Sequence, residues 1–222
     1  MIVLAIDTST LHAGVALWRD GRALAERQRI VTTHSDELMA MVDEAFADAG
    51  IVAADIAAVA CGAGPGSFTG LRIALSTAKG LCFALEKPLV MISSLAALAA
   101  RAPDGRVCAT LDAFKKEVYA GIFTVAAGVP TVDGVESFLS PAALLPRLHD
   151  VAFVVGSGAA KYPELAAGPA RLLDEQAGPR AADVARLGAI RVARGDFDDL
   201  ARAAPTYIRP SEAELVKKGR PQ

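Results

Sequence analysis

The sequence has few of the residues from which metal sites and disulfide frameworks are built. Its 222 residues include three cysteines and three histidines. No cysteines form a C-x-x-C pair and no histidines pair as H-x-x-x-H or H-E-x-x-H, so the spacing supports no zinc or iron site. The odd number of cysteines also argues against a disulfide framework. We expect Cys61, Cys82 and Cys108 to be buried free thiols in a reducing compartment.

Targeting, membrane and hydrolase signals are absent as well. The opening MIVLAIDTST has no basic region of the kind that begins a signal peptide. No stretch approaches the roughly 20 apolar residues of a membrane span. No serine lies in a G-x-S-x-G motif. The sequence therefore favours a cytoplasmic protein that makes no membrane contact.

An excess of charge of one sign is also missing. The net charge is −2, and the basic residues form only short clusters, at Lys115–Lys116, at arginines 186, 191 and 194, and at residues 217–220. A protein that binds nucleic acid strongly usually gathers lysine and arginine into a stripe. We therefore interpret these clusters as solvated faces.

One glycine-rich turn stands out among the residues that are present. An apolar run over Ile56–Cys61 leads through this turn into a helical pattern, and such a strand–turn–helix unit directs backbone N–H groups at an anion. The turn lacks the Lys-Ser/Thr pair of a P-loop and the third glycine of a dinucleotide fingerprint. Two interpretations stay open: simple turn chemistry, or contact with an anion or nucleotide through Gly64, Gly66, Ser67, Thr69 and Gly70.

The order of the predicted elements repeats along the chain. A βββαβα order fills residues 1–86 and returns near residues 107–195, and each repeat begins with an apolar strand that ends in aspartate, Asp7 or Asp112. This tandem order predicts an α/β, actin-like or sugar-kinase-like fold of the ASKHA, ribonuclease H-like architecture. We predict lobes at 1–103 and 104–222, with a last helical segment that can pack back on the N-terminal lobe.

Details of the second repeat follow from turn and helix signals. The pattern predicts strands over Val132–Phe138 and Val151–Val155. Ser140-Pro141 predicts the start of a helix that ends near His149, because proline is favoured at the first helical position. A further helix is predicted over Arg180–Gly195.

The two strand-end aspartates lack the glycine neighbours that would admit phosphate. Thr-Ser-Thr follows Asp7, and Ala-Phe-Lys-Lys follows Asp112. Asp7 therefore either holds a water bound to Mg²⁺ or caps a turn. An active small-molecule kinase or ATPase that uses both aspartates remains the alternative function, and a glycoprotease-like hydrolase is a third.

The helix after the glycine turn is apolar on two sides. Leu71, Leu75, Ala78, Cys82 and Leu85 form one stripe, and Ile73, Thr77, Gly80 and Ala84 form a second. A helix that is apolar on two sides is buried on two sides, against the sheet and against either a neighbouring helix or a second chain. The predicted partner interface comprises Leu38, Met39, Val42, Phe46, Leu71, Arg72, Leu75, Ala78, Lys79 and Cys82.

Several segments resemble one protein family. They are LAIDTST at the start, GPGSFTGLR at 64–72, TAKGL at 77–81, SSLAALA at 93–99, EVYAGIF at 117–123 and PTYIRP at 205–210. Together they resemble the TsaB (YeaZ) family, bacterial proteins that take part in making threonylcarbamoyladenosine on tRNA. Residues 112–116 depart from the family, since they read Asp-Ala-Phe-Lys-Lys where members often carry Asp-Ala-Arg-x-Gly.

The resemblance implies a two-lobed partner protein without catalytic residues of its own. Its relatives are degenerate paralogues of TsaD, the metal-bearing catalytic subunit, and pair with that subunit through helices that correspond to residues 35–49 and 68–86. A TsaE-like ATPase joins the complex, tRNA is contacted only through the complex, and the chain alone forms a homodimer through the same surface. The resemblance implies no cofactor of its own and leaves ATP or ADP at the complex interface open.

Overall fold

A computed structural model describes residues 1–30, 34–168, 170–173 and 178–209. The predicted basic cluster at 217–220 and the last residue of the 205–210 segment lie outside these ranges. The described chain forms two mixed β-sheets, one in each half of the sequence, with helices on their faces.

The first sheet contains five strands in the order β3-β2-β1-β4-β5. Strands β1 to β3 form an antiparallel meander, and β1, β4 and β5 are parallel. Helices α1 and α2 both lie on one face of this sheet. The elements are β1 Ile2–Asp7, β2 His12–Arg19, β3 Arg22–Ile30, α1 His34–Ala49, β4 Ile56–Gly64, α2 Phe68–Leu85 and β5 Leu89–Ser93.

The second sheet repeats the first. Its order is β11-β10-β6-β7-β8, with β9 paired to β7, so β6 occupies the place of β1 and β10 the place of β4. This correspondence confirms the predicted duplication. The elements are β6 Gly105–Asp112, β7 Val118–Ala126, β8 Val129–Val132, β9 Ser137–Leu139, α4 Pro141–Leu144, β10 Phe153–Val155, α5 Ser157–Lys161 and β11 Arg171–Leu173.

Two helices cross from one half of the chain to the sheet of the other. Helix α3, Ser94–Ala99, follows the first sheet but packs on β6 and β7, whereas α6, Ala181–Ala193, follows the second sheet and packs on β1, β2, β4 and β5. Gly188 allows the close approach of α6, because a Cβ there would lie 2.7 Å from the Cβ of Ala60. The first sheet is therefore covered by α1 and α2 on one face and by α6 on the other.

Two predictions about the second repeat need correction, and one strand was missed. The single strand predicted over Val132–Phe138 is two short strands, because Gly134, with φ 85°, turns the chain between β8 and β9. The helix predicted from Ser140 to His149 ends at Leu144 and continues as one 3-10 turn, because Pro146 has no N–H for the next helical hydrogen bond. Strand β11 was not predicted, since three residues carry too little periodicity.

The loop between β4 and α2 packs tightly on the turn that follows β1. A Cβ at Gly66 would overlap the carbonyl oxygen of Ser9, and one at Gly70 would overlap that of Thr8. The Ser67 N–H donates to the Ser9 carbonyl over 2.7 Å, and the Thr8 hydroxyl donates to the Gly70 carbonyl over 2.6 Å. These glycines are required because two backbone segments touch at van der Waals distance.

Alanine substitutions at two glycines of α2 should therefore have opposite effects. Gly70→Ala forces the loop off the β1 turn and should lower the free energy of unfolding by about 2 kcal/mol or more. Gly80→Ala is the matched control, since its Cβ would enter open space, and it should raise that free energy by about 0.5–1 kcal/mol through helix propensity. Urea denaturation of both variants measures the difference, and equal effects would contradict the close contact.

Candidate functional site: the interlobe cleft and the outer helix face

A cleft of about 830 Å³ lies between the two lobes. Four segments form most of its wall: residues 9–12 after β1, residues 65–68 before and at the start of α2, residues 111–114 at the end of β6, and residues 206–209. Leu11, Phe68, Phe114, Tyr119 and Tyr207 give the wall a largely apolar and aromatic character. A volume and lining of this kind suit an organic ligand or a segment of another molecule.

Asp7 does not line this cleft. Its side chain is fully buried, and its Oδ1 accepts hydrogen bonds from the Ser9 N–H over 3.0 Å and from the Ser9 hydroxyl over 2.7 Å. Its Oδ2 has no hydrogen-bond partner among the described residues and faces the backbone of Gly62. Burial raises the pKa of the carboxyl to about 6. Of the two interpretations left open by the sequence, this geometry is that of a turn-capping aspartate.

The predicted anion-contact residues divide into two groups. Gly66 and Ser67 line the cleft, whereas Gly64 and Gly70 are buried in the packed loop and Thr69 is exposed outside the cleft wall. Ser67 also caps α2, since its hydroxyl accepts a hydrogen bond from the Gly70 N–H over 3.2 Å. Contact with an anion or nucleotide stays a prediction.

Asp112 lines the cleft and is held by its own lobe. Its Oδ2 lies 2.7 Å from the Lys161 Nζ, and its Oδ1 accepts a hydrogen bond from the Phe114 N–H over 3.1 Å. The Asp112 N–H donates to the Ser157 hydroxyl over 3.1 Å. Asp112 therefore anchors the turn of residues 112–116.

That turn has an uncommon backbone. Phe114, Lys115 and Lys116 have φ of 60°, 50° and 63°, so three consecutive residues other than glycine occupy the left-handed region. Hydrogen bonds between the backbones of Ala113 and Glu117 and of Glu117 and Phe114 close the turn. The turn directs Phe114 outward, with 67% of its surface exposed.

The segment of residues 205–209 connects the two lobes across the cleft. The Thr206 N–H donates to the Ala63 carbonyl over 2.7 Å in the first lobe, and the Tyr207 ring stacks on Phe68 at 4.7 Å. In the second lobe, Arg209 donates to the Ala113 carbonyl over 2.8 Å. The segment therefore joins the start of α2 to the 112–116 turn.

The structure corrects the predicted partner interface on α1 and α2. Six of its ten residues belong to the core beneath the helices, with no more than 7% of their surface exposed, and cannot contact a partner in this conformation: Leu38, Val42, Leu71, Leu75, Ala78 and Cys82. Arg72 contacts the Phe68 and Tyr207 rings at the start of α2. Phe46 and Lys79 are half-buried, and Met39 is exposed.

The outward face of the two helices, which we call the outer helix face, carries different residues. They are Met39, Ala40, Asp43 and Ala47 on α1 and Ser76, Gly80, Phe83 and Ala84 on α2. Phe83 is 81% exposed, and a Cβ added to Gly80 would meet no described atom within 4 Å beyond the helix's own backbone. Gly80 and Ala84 of the predicted second stripe lie on this face, whereas Ile73 of that stripe packs on the core. The sequence did not show which of the two stripes of α2 lies on the sheet.

The cysteines and the possible metal ligands form no further site among the described residues. Cys61, Cys82 and Cys108 are buried free thiols, and burial raises the pKa of each. In the ranges that the structure describes, no three His, Cys, Asp or Glu side chains are grouped as a metal site. By length and composition, α2 is the one helix of the described chain that could cross a membrane. Of its 18 residues, 33% are buried inside the protein.

Comparisons with known proteins agree with the resemblance. A family model described as TsaD, tRNA N6-adenosine threonylcarbamoyltransferase, matches residues 28–195. The chain is 33% identical to the tRNA threonylcarbamoyladenosine biosynthesis protein TsaB of Escherichia coli K12 over 223 aligned residues, which span 96% of each chain.

Solved structures give the same family and the wider fold. A Pseudomonas aeruginosa protein described as similar to the peptidase YeaZ has a TM-score of 0.82 and 34% identity over 94% of this chain and 99% of its own. The ROK hexokinase of Thermus thermophilus has a TM-score of 0.53 at 14% identity over 86% of this chain and 100% of its own, which shows the fold alone.

The sheet order and these neighbours confirm the actin-like α/β architecture. The chain belongs to the TsaB (YeaZ) family, whose members include tRNA threonylcarbamoyladenosine biosynthesis proteins.

Proposed function

We propose that this chain is a non-catalytic subunit in the synthesis of threonylcarbamoyladenosine on tRNA, and that it binds a TsaD-like catalytic subunit through the outer helix face. The observation that carries this proposal is the exposed apolar surface of α2. Phe83 is 81% exposed near the C-terminal end of α2, and Gly80 lies mid-helix, where a Cβ would meet no atom of the described residues outside the helix's own backbone. A glycine in a helix interior costs about 1 kcal/mol relative to alanine. Close approach of a second helix would offset that cost.

The position of the helices supports a protein partner on this face. The buried stripe of α2 packs on the sheet, and α1 lies beside α2 on the same face of that sheet. Met39 and Phe83 add exposed apolar area to the small residues, and methionine is common at adaptable interfaces. A helix pair from a second chain fits a surface of this composition.

The burial of Asp7 supports a role without catalysis. Asp7 is fully buried, and its carboxylate accepts hydrogen bonds from Ser9 and faces the backbone of Gly62. Asp112 is paired with Lys161. A kinase or ATPase of this fold needs its strand-end carboxylates beside the phosphates, so no observation favours that alternative. That alternative would be restored if the purified chain hydrolysed ATP and Asp7→Ala abolished the hydrolysis.

The proposed assembly follows the family. The chain acts in the cytoplasm, forms a homodimer through the outer helix face when alone, and exchanges that contact for the TsaD-like subunit. A TsaE-like ATPase joins the pair, and ATP or ADP at the interface remains part of the proposal. Its support is the family membership together with the outer helix face described above.

Substitution of Gly80 by arginine should prevent this association. Gly80→Arg places a charged side chain where a partner helix would approach, which costs about 3 kcal/mol or more and weakens binding by about 100-fold. Light scattering of the chain alone and mixed with a TsaD-like subunit should then show monomers in both samples, where the unmodified chain gives a homodimer and a 1:1 heterodimer.

Two further variants complete this test. Ala142→Arg adds the same charge at an exposed position in the second lobe and should leave both masses unchanged. Circular dichroism should show that Gly80→Arg remains folded, because its Cβ enters open space. Normal heterodimer formation by Gly80→Arg would contradict the proposed interface.

The burial of Asp7 predicts a specific dependence of stability on pH. The folded carboxyl has its pKa raised from 3.8 to about 6, so between these values the folded chain binds more protons than the unfolded chain. The free energy of unfolding should therefore fall by about 3 kcal/mol from this group as the pH rises from about 4 to above about 6. Asp7→Asn should lack this contribution.

Urea denaturation across this pH range measures the effect as the difference between the unmodified chain and Asp7→Asn. Asp199→Asn on the surface is the matched control and should preserve the original slope. Parallel pH profiles for the unmodified chain and Asp7→Asn would show that the carboxylate is open to solvent, and would remove this support for a non-catalytic role.

A further inference from the structure

The turn of residues 112–116 carries a surface that the outer helix face does not use. Phe114 is 67% exposed, and Lys115 and Lys116 beside it are exposed. The Lys161 Nζ lies 5.5 Å from the centre of the Phe114 ring and 5.7 Å from that of Tyr162. We call these five residues the aromatic–lysine surface.

The backbone of this surface is held in place at a cost in stability. Three consecutive left-handed residues cost about 1–2 kcal/mol each relative to their ordinary conformations, and residues held in such conformations cluster at functional sites. Asp112 caps the turn, and Arg209 binds the carbonyl of Ala113. The protein therefore keeps an exposed phenylalanine and two exposed lysines on a strained turn.

We propose that the aromatic–lysine surface binds single-stranded RNA, by stacking an unpaired base on Phe114 and placing its phosphates near Lys115 and Lys116. Unpaired bases stack on aromatic side chains with little sequence preference, and lysines beside the ring neutralise the backbone. This inference rests on the proposed function, because an unpaired tRNA loop is the RNA that a threonylcarbamoyladenosine complex handles.

Local charges agree with an anionic ligand. Asp112 is paired with Lys161. Glu117 is half-buried and closes the turn through its backbone. Lys115 and Lys116 bring two positive charges to the exposed rim, although the whole chain carries a net charge of −2.

The surface is also accessible while a partner covers the outer helix face. Phe114 lines the cleft together with Phe68, the first residue of α2. Gly80 lies twelve residues further along that helix, a distance of about 18 Å. The chain can therefore bind a protein partner and an RNA loop at the same time.

Fluorescence anisotropy with a fluorescein-labelled RNA stem–loop tests this surface, using the chain alone and the chain assembled with a TsaD-like subunit. Phe114→Ala should weaken binding of the stem–loop by about 10-fold, whereas Phe114→Trp keeps a stacking ring and should bind normally. Lys115→Ala with Lys116→Ala should lower the slope of log affinity against log salt by about one unit.

Matched controls separate this effect from general loss of an aromatic or a charge. Phe197 is 46% exposed and precedes Asp198, which pairs with Leu89 of β5 outside the cleft wall, so Phe197→Ala should leave RNA binding unchanged. Arg202→Ala removes a side chain that is 90% exposed and should preserve the salt slope. A blunt RNA duplex without unpaired bases should bind more weakly than the stem–loop and be insensitive to Phe114→Ala.

The outcomes distinguish this inference from the proposed function. Loss of RNA affinity with normal heterodimer formation supports the inference. Unchanged RNA affinity in Phe114→Ala overturns it, as does loss of heterodimer formation in that variant, which would make the turn a protein contact. Competition by AMP as strong as that of the stem–loop would also overturn it in favour of a site for a free nucleotide. Failure of the chain to bind a TsaD-like subunit would count against the proposed function, and the measurement on the chain alone would still test the RNA surface.

Strain in the turn gives an independent measurement. Glycine adopts the left-handed region without steric cost, so Lys116→Gly should raise the midpoint of thermal unfolding by about 2–4 °C while it weakens RNA binding through the lost charge. A purely structural turn would gain stability and keep its RNA affinity, which would contradict the inference.

Discussion

The contact between the glycine-rich loop that joins β4 to α2 and the turn after β1 is the constraint on which the rest of the first lobe depends. Backbone atoms of Thr8 and Ser9 occupy the space that Cβ atoms at Gly66 and Gly70 would need. The contact buries Asp7, raises the pKa of its carboxyl to about 6, and fixes the start of α2. The same glycines that would suit a phosphate loop are therefore used to bring two segments of the chain together. A single local contact thus removes a carboxylate from the cleft and orients the helix that presents the outer face.

The exchange of helices between the lobes explains why that face is available. Helix α6 covers one side of the first sheet with its alanine-rich surface, and Gly188 lets it approach β4 closely. Helices α1 and α2 cover the other side and contribute Leu75, Ala78 and Cys82 to the core. In the second stripe of α2, Ile73 packs on that core and Thr77 is half-buried, whereas Gly80 and Ala84 are exposed. The exposed part of the stripe is therefore what we assign to a partner.

The sequence was sufficient for the fold, because periodicity and the repeated element order do not depend on long-range detail. It was insufficient for the rotation of α2 about its axis. Both stripes of α2 are apolar, and the choice between them is made by tertiary contacts such as that of Leu71 with Gly64, which no helical period contains. The 112–116 turn was equally hidden, since left-handed conformations are expected for glycine or asparagine and not for Phe-Lys-Lys. Pro146 shows the opposite case. The sequence contains the local signal that ends α4, a proline without an N–H, but the prediction followed the longer apolar pattern to His149.

The two lobes use equivalent aspartates for different purposes, and this asymmetry is informative about function. Asp7 is buried and serves packing, whereas Asp112 stays at the cleft wall, where it pairs with Lys161 and caps a turn that points outward. The segment of residues 205–209 ties that turn to the start of α2 through Tyr207 and Arg209. A duplicated fold that had kept one chemistry at both aspartates would show two similar environments. Here one copy is structural and the other supports an exposed aromatic ring, so the symmetry of the duplicated fold is replaced by a division between the surface that we propose for a protein partner and the surface that we assign to RNA.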